Sequence, residues 1–247
     1  YNLDEDELFR IIEELHTITI KDLNILSEDA DHIEWFNDST NLGIKRDIDW
    51  HFWEHFKSFL LFQKTPPREN KIVDKLDQFS SIILGRMEDP KRKGAWDRRG
   101  MVVGNVQAGK TENYTALITK AADAGYKLII ILAGVHESLR CQTQIRLNEE
   151  FIGKDNIEGK EEIIGVKKTF PDHKDVFGYT TREEGGDFHK LVKKHGRAVP
   201  QIDGPPFLLV VKKNVSILKN NLDSYKSALA SDPMSAFGGI VSCNFKI

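Results

Sequence analysis

Residues 104–111, GNVQAGKT, place Gly104, Gly109, Lys110 and Thr111 in the spacing G-x-x-x-x-G-K-[ST] without a mismatch. Successive backbone N–H groups of such a loop curl round phosphates at a helix N-terminus, so it demands a strand before it and a helix after it. Both are legible here. MVVGNV reads as a short buried strand, and TENYTALITKAADAGY carries Tyr114, Leu117, Ile118, Ala121 and Ala122 at helical spacing before Gly125 closes it. KLIIILAG then follows as a continuous apolar run of strand length, the pattern of a parallel sheet covered on both faces. Strand, helix and strand in this order make a βαβ unit.

The spacing also assigns roles. Glycines let the backbone approach the phosphates, Lys110 reaches the β and γ groups, and the Thr111 hydroxyl holds Mg²⁺. On this reading Gly104, Gln107, Ala108, Gly109, Lys110 and Thr111 hold the triphosphate of ATP. The plain alternative is a glycine-bearing turn between a strand and a helix. Hydrolysis further requires an acid at the end of a second core strand. No apolar run ends that way: LIIILAG ends in glycine, FLLVVKKN in lysines, and the acidic doublets at 149–150, 161–162 and 183–184 follow no such run. The catalytic acid is therefore expected outside this chain, and no NKxD-type motif points to a GTPase.

Ahead of the loop the texture is helical. DELFRIIEEL sets Leu8, Ile11, Ile12 and Leu15 on one face, IDWHFWEHFKSFLLF is thick with aromatics, and Ile72, Leu76, Phe79 and Ile83 form a third stripe. Within the second segment HFWEH matches H-x-x-E-H, which would put His51 and His55 on one helix face with Glu54 beside them. Its aromatic flanks read as a packed helix, and the sequence offers no evident place for a third ligand. Beyond the loop SLRCQTQIRLNEEF reads as a helix, EEIIGV as a weak strand, PPFLLVVKKN as a strong one, and residues 167–206 as a long polar connection.

Charge and cysteine usage narrow the setting. The formal net charge is -3, and residues 1–40 hold twelve Asp or Glu against Arg10 and Lys21, so a nucleic-acid contact must come from elsewhere. Cys141 and Cys243 form no disulfide framework or CxxC pair, and no run of apolar residues is long enough for a membrane span. A cytoplasmic protein without a membrane partner is expected. The chain opens on Tyr1 and closes in the strand-like GGIVSCNFKI, so both ends read as cut.

With these residues in view, the run 94–153, followed by TTREEGGDF and PPFLLVVKKNVSILKNNL, resembles the Z-one domain family over about residues 70–222. That family consists of helicase-like P-loop ATPases, often labelled putative endonucleases, of bacterial restriction and phage-defence loci. With the helical N-terminal region (1–95) read from its pattern, the resemblance implies that an α/β chain continues as a partial RecA-like P-loop NTPase lobe with a mainly parallel sheet (96–222). It also implies DNA, and other defence-system subunits, as partners of the complete protein. In LAGVHESLRCQTQIRL it places His136, Ser138, Arg140 and Gln144 where nucleic-acid phosphates are touched; an exposed helix face with Ser138 as N-cap is the alternative. PKRKGAWDRR reads either as a phosphate patch or as a solvated linker. The tail, 223–247, departs from this pattern: SYKSALASDPMSAFGGIVSCN resembles the transformylase part of the bifunctional AICAR transformylase/IMP cyclohydrolase, and a join near 222–223 is expected.

The expected function is thus the ATP-binding portion of a helicase-like, DNA-directed ATPase that hydrolyses little by itself. Its rivals are a non-enzymatic nucleotide-sensing or scaffolding module, and a small-molecule kinase, for which the chain lacks an arginine-rich lid.

Overall fold

The computed structural model describes residues 35–36, 48–92, 100, 110–157, 160–187, 204–214 and 240–244, with the backbone alone at 110–111, 157 and 240–244. The expected helix near residues 4–15, the strand at 101–106 and loop residues Gly104, Gln107, Ala108 and Gly109 lie outside them.

Among the described residues, two helices precede the loop. Helix α1 (His51–Phe62) buries Phe52, Trp53, Phe56, Phe59 and Leu60, the apolar face its sequence pattern calls for. It has no side-chain cap of its own. Asp123 supplies one from a distance, accepting from the backbone N–H of Phe52 at 3.0 Å and of Trp53 at 2.9 Å. Helix α2 (Asn70–Arg86) buries Val73, Leu76, Ser80, Ser81 and Leu84, whereas Ile72 is 47% exposed. This turns the helix away from the stripe of Ile72, Leu76, Phe79 and Ile83. The buried serines explain the rotation: Ser80 donates back to the Leu76 carbonyl, and Ser81 meets the ammonium of Lys120 at 2.6 Å.

Helix α3 (Lys110–Ala124) starts where the glycine loop ends, and from Thr115 to Ala122 every residue is buried. Burial extends beyond the apolar positions Leu117, Ile118, Ala121 and Ala122 to Thr115, Thr119 and Lys120, so α3 is enclosed. Ala116 packs with Trp53, Phe56 and Leu60 of α1, Leu117 and Ala121 pack with Trp35 and Leu84, and Ile118 and Ala122 pack with Ile129 and Ile131. The helical region thus covers one side of α3 while a sheet covers the other. Gly125, at φ 109°, adopts the left-handed turn that ends the helix.

Strand β1 (Leu128–Leu132) follows at once. Beyond it come helix α4 (Glu137–Leu147), a π-helical turn (Asn148–Ile152), the antiparallel hairpin of β2 (Lys154–Ile157) and β3 (Lys160–Ile163), and the short helix α5 (Gly165–Thr169). EEIIGV, read as one strand, is therefore divided between β3 and α5. Strands β4 (Phe177–Gly178), β5 (Phe207–Val211) and β6 (Ile240–Asn244) complete the main sheet, whose order is β4-β5-β1-β6 with every pairing parallel. Leu128 lies opposite Phe207 on one side and Ile240 on the other. The chain is accordingly an α/β protein with a helical N-terminal region and a parallel sheet. The tail strand 240–244, expected to be foreign to the lobe, sits beside β1 over that strand's full length. Alternation sends Ile129, Ile131, Leu208 and Val210 toward α3, and Leu128, Phe207, Leu209 and Val211 to the opposite face.

Candidate functional site

In a parallel sheet, ligands bind outside the carboxyl ends of the strands. Residues 125–127 return the chain from the end of α3 directly to the start of β1, so α3 runs against the strands and its first turn lies toward that carboxyl edge. Lys110 and Thr111 open this helix, where free amides and the positive end of the helix dipole favour an anion. Backbone placement therefore agrees with what the loop motif requires at its helical end.

An acid directly after Thr111 would work against an anion unless it were neutralised. Glu112 is buried, and Arg68 holds it through Nε at 2.9 Å and Nη2 at 2.6 Å, with Lys64 Nζ at 2.9 Å. Burial raises its pKa, but the Arg68 and Lys64 bonds outweigh this and keep the carboxyl below its ordinary range. Lys64 also reaches the buried Glu150 at 2.6 Å, to which Thr115 donates at 3.2 Å. Two cations thus face two carboxylates behind the first turn of α3. For Glu150 desolvation prevails over Lys64 and pushes the pKa up.

A second group forms where β1 and β5 leave the sheet. Ala133 N–H donates to Val211 O at 3.0 Å, and Lys213 N–H to Gly134 O at 2.6 Å. Gly134, at φ 80°, turns the chain into α4. Glu137 in the first turn of α4 meets Arg140 Nε at 2.8 Å and Lys212 Nζ at 2.6 Å. Desolvation opposes ionisation, yet these two cations bring its pKa down to about 2.

The four residues expected at nucleic-acid phosphates divide. His136 and Ser138 are exposed at this edge. His136, not Ser138, occupies the N-cap position of α4, and it makes no side-chain cap bond, so the helix starts earlier than the Ser138 reading has it. Arg140 and Gln144 lie in the interior, which takes them away from any phosphate surface. Arg140 is fully buried and donates through Nη1 to Thr181 O and through Nη2 to Glu183 O, both at 2.7 Å. Gln144 donates to Asn148 at 2.8 Å and accepts from Thr180 at 2.6 Å. A buried guanidinium needs fixed acceptors, and TTREEGGDF supplies them as main-chain carbonyls. Of PKRKGAWDRR only residues 90–92 are described, and there Arg92 pairs with Glu88 at 2.8 Å.

One residue escaped sequence reasoning altogether. His173 stands with His51 and His55, so the H-x-x-E-H segment does have a third histidine beside it. It comes from the polar connection, 118 residues from His55, and no spacing rule links the two.

Comparison with protein-family models, curated proteins and solved structures finds no match. No helix among the described residues is long and apolar enough to cross a membrane.

Proposed function

We propose that the chain is the nucleotide-binding portion of a helicase-like, DNA-directed P-loop ATPase of the Z-one kind, working in the cytoplasm with Mg²⁺·ATP as its ligand. One observation carries the reading: GNVQAGKT runs straight into the N-terminus of α3, and α3 returns within three residues to an inner strand of a parallel sheet. A helix that opens at the motif's end and leads back to a parallel strand is the helical half of the context in which the motif binds phosphate. Gly104, Gln107, Ala108 and Gly109 then supply backbone donors, Lys110 the cation for the β and γ phosphates, and Thr111 a hydroxyl for Mg²⁺. DNA would approach at the same carboxyl edge, where His136 and Ser138 are exposed. The nuclease activity of the family label has no residues assigned to it here.

A second reading, a nucleotide sensor without turnover, is favoured by the strand ends: β1 ends at Leu132, β5 runs into Lys212 and β6 ends at Asn244. None of these described strands delivers a carboxylate to the carboxyl edge. Displacement of a fluorescent ATP analogue, read beside phosphate release, tests the nucleotide binding that both readings share. ATP and ADP displacing the probe where adenosine does not, with phosphate release near background, is the expected outcome. Displacement by adenosine as strong as by ATP would contradict recognition through the phosphates.

A further inference from the structure

We propose that His51, His55 and His173 form a binding site for one divalent transition-metal ion of the zinc class, which staples the start of α1 to the segment ahead of β4. Their candidate ligand atoms all lie within 4.8 Å of one another. His173 is 3% exposed, and His51 and His55 are half-buried.

The hydrogen bonds fix which nitrogens are available. His173 Nε2 is 2.8 Å from the carbonyl of Phe151, which can only accept, so the proton of His173 sits on Nε2 and Nδ1 presents a lone pair. His55 Nδ1 lies 3.0 Å from that Nδ1 and must therefore donate to it in the metal-free protein. Two nitrogens on a tetrahedral zinc ion, each at about 2.0–2.1 Å, are separated by about 3.3 Å. The His55–His173 pair needs to open by only a few tenths of an ångström. On metal capture His55 moves its proton from Nδ1 to Nε2, and the exposed Asp172 carboxylate, its Oδ2 3.9 Å from Nε2, has to close in to accept it. No proton leaves the site. His173 thus has an outer partner of the kind that orients metal-bound histidines, the Phe151 carbonyl, and His55 has a carboxylate nearby.

His51 supplies the third nitrogen. Its Nε2 accepts from the Lys174 N–H at 2.9 Å, and its ring centre is 4.3 Å from that of His55. Ligation exchanges this hydrogen bond for the metal through rotation of a half-buried ring. A water on the open side completes four-coordination.

The site is structural and not a peptidase centre. Glu54, the acid of the H-x-x-E-H pattern, is 57% exposed and pairs with Lys57 at 3.9 Å. The cluster also sits at the amino edge of the sheet, beside the end of α3 that bears Asp123, about 20 Å along that helix from Lys110. It stands independently of the nucleotide reading.

The test uses the full chain after chelator treatment, titrated with Zn²⁺ by calorimetry and melted with and without one equivalent. One Zn²⁺ per chain and a raised Tm are expected. His51→Gln and His55→Gln should each weaken Zn²⁺ binding by at least about 100-fold, since ligand loss costs no less than loss of an outer-shell partner. Far-UV circular dichroism of the His51→Gln protein, altered at a partly exposed ring, checks that the fold persists. Absence of stoichiometric uptake by the unaltered chain would overturn the proposal, as would uptake of equal affinity in both folded variants; the cluster would then be a hydrogen-bonded nest, with His55 stacked on Phe170 at 4.4 Å.

Discussion

The ammonium of Lys120 lies 4.6 Å from the centre of the Trp53 ring, which joins the helix that follows the glycine loop to the helical region before it. Lys120 is 2% exposed, and its charge is held by the Asp77 carboxylate, the Asp77 carbonyl at 2.8 Å and Ser81 Oγ at 2.6 Å. Position within α3 makes this cation a junction of α1, α2 and α3.

Leaving the fully buried Lys120 without its counter-ion costs more than leaving Asp77, which is 32% exposed and can be solvated. Asp77→Ala is expected to destabilise the chain by about 2–3 kcal/mol, because Lys120 stays buried without its counter-ion. Lys120→Met, similar in length and uncharged, should cost about 1 kcal/mol or less. Urea unfolding of both single variants and the double variant checks this, with the double expected to lose less than the sum.

Asp123 sets a pH dependence. Burial pushes its carboxyl from 3.8 up to about 7, against the pull of the Phe52 and Trp53 amides. The folded chain therefore keeps a proton that the unfolded chain releases, and stability falls as pH rises between these two values. The contribution is full below about pH 4 and lost by about pH 7, amounting to up to about 4 kcal/mol. Urea midpoints measured from pH 4 to pH 8 should show the decline, and Asp123→Asn should flatten it.

Arg140 separates a structural role from a nucleic-acid one. Arg140→Ala is expected to cost about 3 kcal/mol, since Glu137 and the carbonyls of Thr181 and Glu183 lose a buried donor. Arg140→Lys should recover little of this, because one ammonium cannot serve three acceptors spread across the planar fork. Chemical denaturation gives the magnitude. Any DNA binding of a folded Arg140→Met protein should keep its salt dependence, which loss of a phosphate-neutralising cation would reduce.

The helix and second strand of the expected βαβ unit were readable because their signals are local. KLIIILAG is bounded by Lys127 and Gly134, and α3 begins at Lys110 and closes at Gly125, where the pattern puts them. What stayed hidden depends on distant partners. The face α2 buries is set by Lys120, which reaches Ser81 from 39 residues away, and no periodicity of α2 encodes that. Arg140 looks like a surface cation in sequence, and only the carbonyls of the 181–183 turn make its burial affordable. Likewise HFWEH gives two histidines, while the third arrives through the packing of α5 and the following turn against α1.

Calorimetric titration of Mg²⁺·ATP into the full chain, beside the Lys110→Ala protein, is the direct test of phosphate binding by residues 104–111. Binding at one site per chain, weakened about 10-fold or more by Lys110→Ala through loss of a charge-assisted contact, is the predicted result. Equal affinity in the two proteins, or no ATP binding by the folded unaltered chain, would contradict it.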